Sequence, residues 1–186
     1  MRIFIDQGHN PQNPNAGAEG FGLREQDVNY EIGVRLYELL SSNEFFEVKL
    51  SRPTPTTQLG NSNASSLAAR VNAANLWGAD YFISLHCNAS VDASVSGSEA
   101  YVYSLQGRAV PLAEEMLNGL FEQTGLSDRG VRANPSLYVL RRTAMPAVLM
   151  EMGYITNSRD AYLLSSDPDA FARGMYNGIL RFFGLG

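Results

Sequence analysis

Short apolar runs alternate along the chain with longer segments in which apolar residues recur every three to four positions. The short runs predict buried strands over residues 2–6, 45–50, 81–85 and 147–152, and an alternating pattern predicts a further strand over residues 99–104. The longer segments predict four helices, each with one apolar face. Strands that alternate with helices predict one α/β domain over residues 1–186, built on a mostly parallel sheet with helices on both faces.

The helices are predicted from their apolar stripes and from residues that typically start a helix. The four stripes comprise Val28, Ile32, Leu36 and Leu39; Leu67, Val71, Ala74 and Leu76; Leu112, Ala113, Met116, Leu117, Leu120 and Phe121; and Phe171, Met175, Ile179 and Phe182. Glu25 and Asp27 suit the positive N-terminal end of the first helix. Ser66 is expected to cap the second helix, and Asp167 followed by Pro168 to open the fourth.

Residues between these elements also carry predictions. Gly78 and Gly125 directly follow the second and third helices, and we expect them to end those helices. Residues 51–65 are rich in Pro, Thr, Asn and Ser and predict a long surface loop. Residues 137–140 form a short apolar run, which predicts a short strand or an ordered loop.

Composition narrows the class of protein. The net charge is -5 and no basic stripe is visible, which argues against a nucleic-acid partner. No stretch approaches the roughly 18 apolar residues of a membrane span, and the short first run with Asp6 in it does not fit a secretory signal. Cys87 is the single cysteine, so no internal disulfide can form. It follows His86 and is expected to pack on the opposite sheet face.

Four side chains stand out as candidates for chemistry. The only two histidines, His9 and His86, fall just past the carboxyl ends of predicted strands, and Glu151 lies near the end of a third. Ligands bind at this edge of open α/β sheets, so residues distant in sequence are expected to converge there. Glu25 joins them, because it lies where the loop that begins at His9 becomes a helix.

Two imidazoles and one carboxylate are the ligand set of many catalytic zinc sites, and the remaining carboxylate suits a general base. Each residue also fits an ordinary role, with His9 in an exposed loop, His86 hydrogen-bonded at a strand end, and Glu25 at a helix dipole. Glu151 is harder to place structurally, since it lies among apolar residues where an unpaired carboxylate is costly. These residues predict a metal or acid–base site and name no substrate.

Five blocks in order along nearly the whole chain resemble the zinc-dependent N-acetylmuramoyl-L-alanine amidases of the amidase-3 family. The blocks cover residues 3–9, 22–29, 70–75, 81–89 and 145–157. The resemblance implies a six-stranded twisted sheet flanked by helices, and a shallow groove for a polymeric substrate. It also implies hydrolysis of the amide between N-acetylmuramic acid and the L-alanine of the peptidoglycan stem peptide.

The resemblance further implies roles for particular residues. One Zn²⁺ would be held by His9, Glu25 and His86, and Glu151 would be the catalytic base. Asn88 and Arg129 would help to bind the substrate. The chain departs from the family pattern at Gln7, where many members have proline, and at Asn10-Pro11, where many have glycines. These departures lie beside the ligand His9 and bear on substrate preference, since the ligands themselves are kept.

Peptidoglycan is thus the expected partner and the cell wall the expected site of action. Because no signal is recognised, the protein would reach the wall by lysis, by a holin-like route or with a signal that has been removed. No wall-binding repeat is recognised either, so residues 1–186 are expected to form one amidase catalytic domain. Two alternatives stay open: a zinc peptidase acting on another peptidoglycan bond, and a catalytically silent wall-binding module.

Overall fold

A six-stranded sheet forms the centre of the protein in the computed structural model, which describes residues 1–186. Its strands are β1 (Arg2–Gln7), β4 (Glu47–Leu50), β5 (Tyr81–Asn88), β6 (Ser98–Val102), β7 (Asp128–Ala133) and β8 (Ala147–Tyr154). Their order across the sheet is β4-β1-β5-β8-β6-β7, and only the β8–β6 pair is antiparallel. A separate two-stranded ribbon joins β2 (Glu19–Gly20) to β3 (Leu23–Arg24). The predicted mostly parallel sheet is confirmed.

Helices cover both faces of this sheet. They are α1 (Glu25–Ser41), α2 (Asn63–Trp77), α3 (Val110–Thr124), α4 (Tyr138–Arg142), α5 (Ser158–Ser166) and α6 (Pro168–Phe182). On β1, Ile3 and Ile5 belong to a core of 28 residues shared with α1, α3 and α6. Phe4, which points the other way, belongs to a core of nine residues shared with α2 and α4. The strand alternation therefore builds two cores of unequal size.

Most predicted helix ends are confirmed. Gly78 and Gly125 end α2 and α3 in the left-handed conformation, at φ 69° and 65°. Asp167 caps α6 by accepting a hydrogen bond from the Ala170 amide, and Pro168 occupies the first turn. None of the helices combines the length and hydrophobicity that a membrane span requires.

Several local predictions were wrong. The cap of α2 is Ser62, which exchanges hydrogen bonds with Ser65, and Ser66 lies buried inside the helix. Phe121 is exposed because it falls one position beyond Leu120, at the margin of the buried face. Of the other residues expected on apolar faces, Leu39 and Phe182 are only half-buried and Leu76 is exposed. Residues 137–140 were expected to form a strand or a loop, but most of them belong to the short helix α4. The elements β2, β3, β7 and α5 were not predicted.

The expected surface loop at 51–65 is only partly at the surface. Ser51 and Arg52 at its start are buried. The Arg52 guanidinium donates to the backbone oxygens of Gln26 and Pro55 and lies 5.3 Å from the Tyr30 ring. Burial, together with the nearby charge of Arg70, lowers the pKa of Arg52 to about 10. This arginine ties the loop to α1, close to the helix end that carries Glu25.

Candidate metal centre and active site

Sheet register brings two of the four candidate residues side by side. His86 on β5 pairs with Glu151 on β8, so their side chains lie on the same face. That face carries the smaller core, and the pair lies toward the carboxyl ends of both strands. Cys87, the next residue, is buried in the larger core on the opposite face, as predicted.

His9 reaches the same place from the end of β1. The Gly8 amide donates to the Leu85 oxygen, which extends the pairing with β5, and His9 then turns with φ 67°. A Cβ atom on Gly8 would lie 2.6 Å from the Leu85 backbone oxygen and would overlap the His86 imidazole. Glycine is therefore required for the two imidazoles to approach, and their ring centroids lie 4.9 Å apart.

Glu25 is the first residue of α1 and is held by backbone donors. The Ala18 amide donates to its Oε2 at 2.9 Å and the Cys87 amide to its Oε1 at 3.2 Å. A Cβ atom on Gly17 would lie 2.7 Å from Glu25 Oε2, so this glycine too is needed for the carboxylate to fit. Burial opposes its ionisation, but hydrogen bonds from His86 and His9 prevail and lower the pKa of Glu25 far below its ordinary value.

These three side chains form a compact donor set. Glu25 Oε1 lies 3.0 Å from both His9 Nε2 and His86 Nδ1, and all three donor atoms lie within 4.8 Å of one another. Zinc–ligand bonds of 2.0–2.2 Å at tetrahedral angles separate ligand atoms by about 3.3–3.6 Å. Small shifts would open the set around one ion, so two imidazoles and an ionised carboxylate fit zinc.

Glu151 presents a carboxyl group with no partner. Its Oε2 is buried and makes no hydrogen bond. Burial, and next the negative charges of Glu25 and Glu99, raise the pKa of Glu151 well above its ordinary value. A buried carboxyl beside a metal-type donor set can take up and release a proton, which is what a general acid–base residue must do.

Arg70 on α2 fixes the loop that carries His9, and sequence reasoning missed it. The side chain is 1% exposed and donates to Asp6 Oδ1 at 2.6 Å, to the Gln7 oxygen at 2.6 Å and to the His9 oxygen at 2.5 Å. Burial opposes ionisation of Asp6, but Arg70 and the Ser84 hydroxyl outweigh it and lower the pKa of that carboxyl. The signal was available, because Arg70 lies beside Val71 and three positions after Leu67 on an apolar stripe.

Sequence reasoning also missed Glu99 on β6, which contacts the two remaining candidate residues, Asn88 and Arg129. It pairs with Glu151 in the antiparallel register and is almost fully buried. Its Oε1 accepts from Asn88 Nδ2 at 2.8 Å, and its Oε2 lies 3.5 Å from Arg129 Nε. Asn88 and Arg129 therefore lie in one network beside Glu151.

A small cavity of about 120 Å³ opens next to the two histidines. Its lining comprises Asp6, Gly8, His9, Asn15, Leu67, Arg70, His86, Leu137, Tyr138, Val139 and Leu149. The apolar members come from β8, α2 and the segment 137–139, so one wall is hydrophobic and the other carries the histidines. A cavity of about 370 Å³ at the opposite end of β8 contains no His, Asp or Glu and lacks the means for this chemistry.

The sequence as a whole is similar to one family of proteins. A family model described as N-acetylmuramoyl-L-alanine amidase matches residues 3–181. The N-acetylmuramoyl-L-alanine amidase CwlM of Bacillus licheniformis is 36% identical over 189 residues, covering 100% of this chain and 70% of the relative. The sporulation-specific N-acetylmuramoyl-L-alanine amidase of Bacillus subtilis (strain 168) is 36% identical over 188 residues, covering 100% and 69%.

The fold is similar to that of solved structures. The catalytic domain of CwlV, an N-acetylmuramoyl-L-alanine amidase from Bacillus (Paenibacillus) polymyxa var. colistinus, superposes with a TM-score of 0.86. That pair is 30% identical in sequence, and the superposition covers 100% of this chain and 99% of the other. The similarity therefore extends over the sheet and all the helices that surround the site.

Proposed function

We propose that this chain, which belongs to the N-acetylmuramoyl-L-alanine amidase family and is such an amidase, uses one zinc ion to cleave the amide bond between N-acetylmuramic acid and L-alanine. The ion would be held by His9 Nε2, His86 Nδ1 and a Glu25 carboxylate oxygen. The observation that carries this proposal is the convergence of these donors beside the unpaired carboxyl of Glu151. When bound, zinc supplies Lewis acidity toward the amide carbonyl and a nucleophilic water at neutral pH.

The residues around this centre have distinct tasks in the proposal. Glu25 stays ionised because its pKa is lowered, so it can act as a ligand without first losing a proton. Glu151 takes a proton from the attacking water and returns it to the departing alanine nitrogen, a task that suits a carboxyl whose Oε2 makes no hydrogen bond. Arg70 keeps His9 in place through the backbone oxygen of that residue.

Substrate binding is assigned to the surfaces on either side of Glu151. Arg129, with a side chain 32% exposed, would face the substrate, and Asn88 would line the groove while its amide nitrogen donates to Glu99. The hydrophobic wall of the small cavity, which includes Leu137 and Leu149, would accept a methyl group next to the scissile amide. Peptidoglycan would be the partner and the cell wall the site of action, which the names of the amidase relatives support.

The test combines zinc content with product analysis on purified sacculi. We expect the zinc-loaded protein to release stem peptides that begin at L-alanine, and we expect chelation to stop the release and zinc to restore it. Glu151→Gln is the matched variant, because it keeps the size of the side chain and removes its ability to act as a base. Fragments that begin elsewhere would identify a peptidase, and sedimentation with sacculi without any release would identify a binding module.

A further inference from the structure

A row of three charged or ionisable side chains crosses the sheet at the active site. His86 on β5 pairs with Glu151 on β8, and Glu151 pairs with Glu99 on β6, so all three lie on one face. Glu99 is the member farthest from the metal ligands, and its side chain is 3% exposed. A buried carboxylate needs polar or charged partners, and the partners of Glu99 are therefore held close to Glu151.

An extra residue in β7 brings two arginines to that carboxylate. Ser98 pairs with Asp128 and Ala100 with Val131, so β7 advances three residues while β6 advances two. Gly130, at φ 85°, lies within this bulge. Arg129 and Arg132 are three positions apart and would point to opposite faces of a regular strand. With the bulge both reach Glu99 Oε2, from Arg129 Nε at 3.5 Å and Arg132 Nη2 at 3.4 Å.

The two arginines share a single acidic partner. Two guanidinium groups share one oxygen of Glu99, and neither forms an ion pair with any other acid. The other oxygen of Glu99 is occupied by neutral donors, Asn88 Nδ2 at 2.8 Å and the Tyr101 hydroxyl at 3.0 Å. Each arginine thus has only a shared oxygen of Glu99 as its ion-pair partner.

The two arginines have fixed contacts and also reach solvent. The Arg129 guanidinium lies 5.4 Å from the Tyr154 ring, and its Nη1 donates to the Ser96 oxygen at 3.3 Å. A Cβ atom on Gly97 would lie 3.1 Å from Arg129 Cγ, so glycine leaves room for the stem of the arginine. The side chains of Arg129 and Arg132 are 32% and 51% exposed. Most of their N–H donors remain available in the fork geometry that suits a carboxylate.

We propose that Arg129 and Arg132, oriented by Glu99, form a subsite that binds a carboxylate of the stem peptide. This inference rests on the proposed function, because it takes the substrate to be a peptidoglycan strand whose scissile amide lies at Glu151. A stem peptide carries negative charge wherever its carboxyl groups are not amidated. The subsite would make the enzyme prefer stem peptides with free carboxylates, and Glu99 would be a positioning residue for that preference.

The test measures binding of two released stem peptides that begin at L-alanine and differ only in whether their carboxyl groups are free or amidated. Calorimetry with the zinc-loaded protein is expected to show about tenfold tighter binding of the free acid, the scale of one charge-assisted contact. In Arg132→Gln, which leaves Arg129 to pair with Glu99, this ratio should fall about threefold. Arg132→Lys, which keeps the positive charge, should retain more of the preference for the free acid than Arg132→Gln does.

Two further variants sharpen the result. Glu99→Gln can still accept from Asn88 and Tyr101 but no longer anchors the arginines, so it should reduce the same ratio and raise KM more than it lowers kcat. Arg141→Gln, an exposed arginine without an ion pair, is the matched control and should behave as wild type. Circular dichroism and zinc content check that each variant is folded and loaded.

Equal affinity of the wild-type protein for the two peptides would overturn the subsite, and so would a ratio that Arg132→Gln and Glu99→Gln leave unchanged. Binding does not depend on turnover, which keeps this inference separate from the proposed function. Discrimination between the peptides without cleavage of sacculi would contradict the amidase mechanism and leave the subsite standing. Cleavage at the expected bond without discrimination between the peptides would support the amidase mechanism and contradict the subsite.

Discussion

Replacing Arg70 with methionine tests whether a buried ion pair supports the candidate metal site. Arg70 and Asp6 are each about 1% exposed, and the guanidinium also donates to the Gln7 and His9 oxygens. Methionine keeps much of the side-chain volume but leaves Asp6 as a buried carboxylate without its cation. Breaking such a pair costs about 3–5 kcal/mol, so we expect Arg70→Met to lower the free energy of unfolding at pH 7 by about that amount.

The pH dependence gives this prediction a sign. In the wild-type protein the pKa of Asp6 is lowered, so its stabilising contribution is complete above the unfolded value of about 3.9 and is lost as pH falls through the folded value. Without Arg70, burial should raise the pKa of Asp6 above the unfolded value. As pH falls, Asp6 of the variant becomes protonated and no longer carries an unpaired buried charge. The difference in the free energy of unfolding between variant and wild type should therefore shrink toward pH 4.

The assay is urea unfolding of the metal-free proteins between pH 7 and pH 4, followed by the fluorescence of Trp77. This is the single tryptophan of the chain, and it lies on α2 with Arg70. Arg141→Met, at an exposed site, should stay within about 0.5 kcal/mol of wild type. A deficit below about 1 kcal/mol at pH 7, or one that does not change with pH, would refute the reasoning. Zinc affinity should fall about 10- to 100-fold, because His9 loses its support.

Three further changes probe the site directly. Glu151→Gln should bind zinc like wild type and lose at least about 100-fold in turnover on sacculi, and clearance at the wild-type rate would contradict its role. Gly8→Ala places a methyl group 2.6 Å from the Leu85 backbone oxygen and against the His86 imidazole, so it should weaken zinc binding, measured by competition with a chromogenic chelator. Cys87 is buried, and burial with the charge of Glu25 raises the pKa of its thiol, so a thiol reagent should label it only after unfolding.

The candidate residues could be predicted because each follows a strong local signal. His9, His86 and Glu151 come near the ends of apolar runs, and parallel strands bring such ends to one edge. Sequence cannot show what holds these residues in place. Glu25 is fixed by the Ala18 and Cys87 amides, and a backbone donor leaves no trace in the identity of its residue.

The elements that were missed have weak or broken patterns. β7 is mostly polar, and the extra residue near Gly130 interrupts its alternation, so no period of two is visible. The apolar run at 137–140 is too short to separate strand from helix, and tertiary packing of Val139 and Leu140 settles it as the helix α4. Glu99 follows Ser and Gly residues at the start of a strand, and only the antiparallel register with β8 reveals that it faces Glu151.

The structure shows what Gln7 and Asn10, which depart from the family pattern, do at the end of β1 and in the loop that follows it. The Gln7 side chain donates to the Arg52 oxygen and accepts from the Arg52 amide, which fastens the end of β1 to residues after β4. The Asn10 side chain is fully buried, donates to the Pro14 and Leu59 oxygens, and accepts from the Leu59 amide.

Proline and glycine at these positions would lack every one of those side-chain bonds. The loop beside His9 is therefore tied to segment 51–59 by amide side chains, and Arg70 joins the same network through Asn10 Oδ1. Segment 51–59 therefore flanks the candidate metal site on the side of His9, while Glu99 and its arginines flank it on the side of Glu151. Substrate preference should then depend on these two flanks, between which the candidate metal ligands lie.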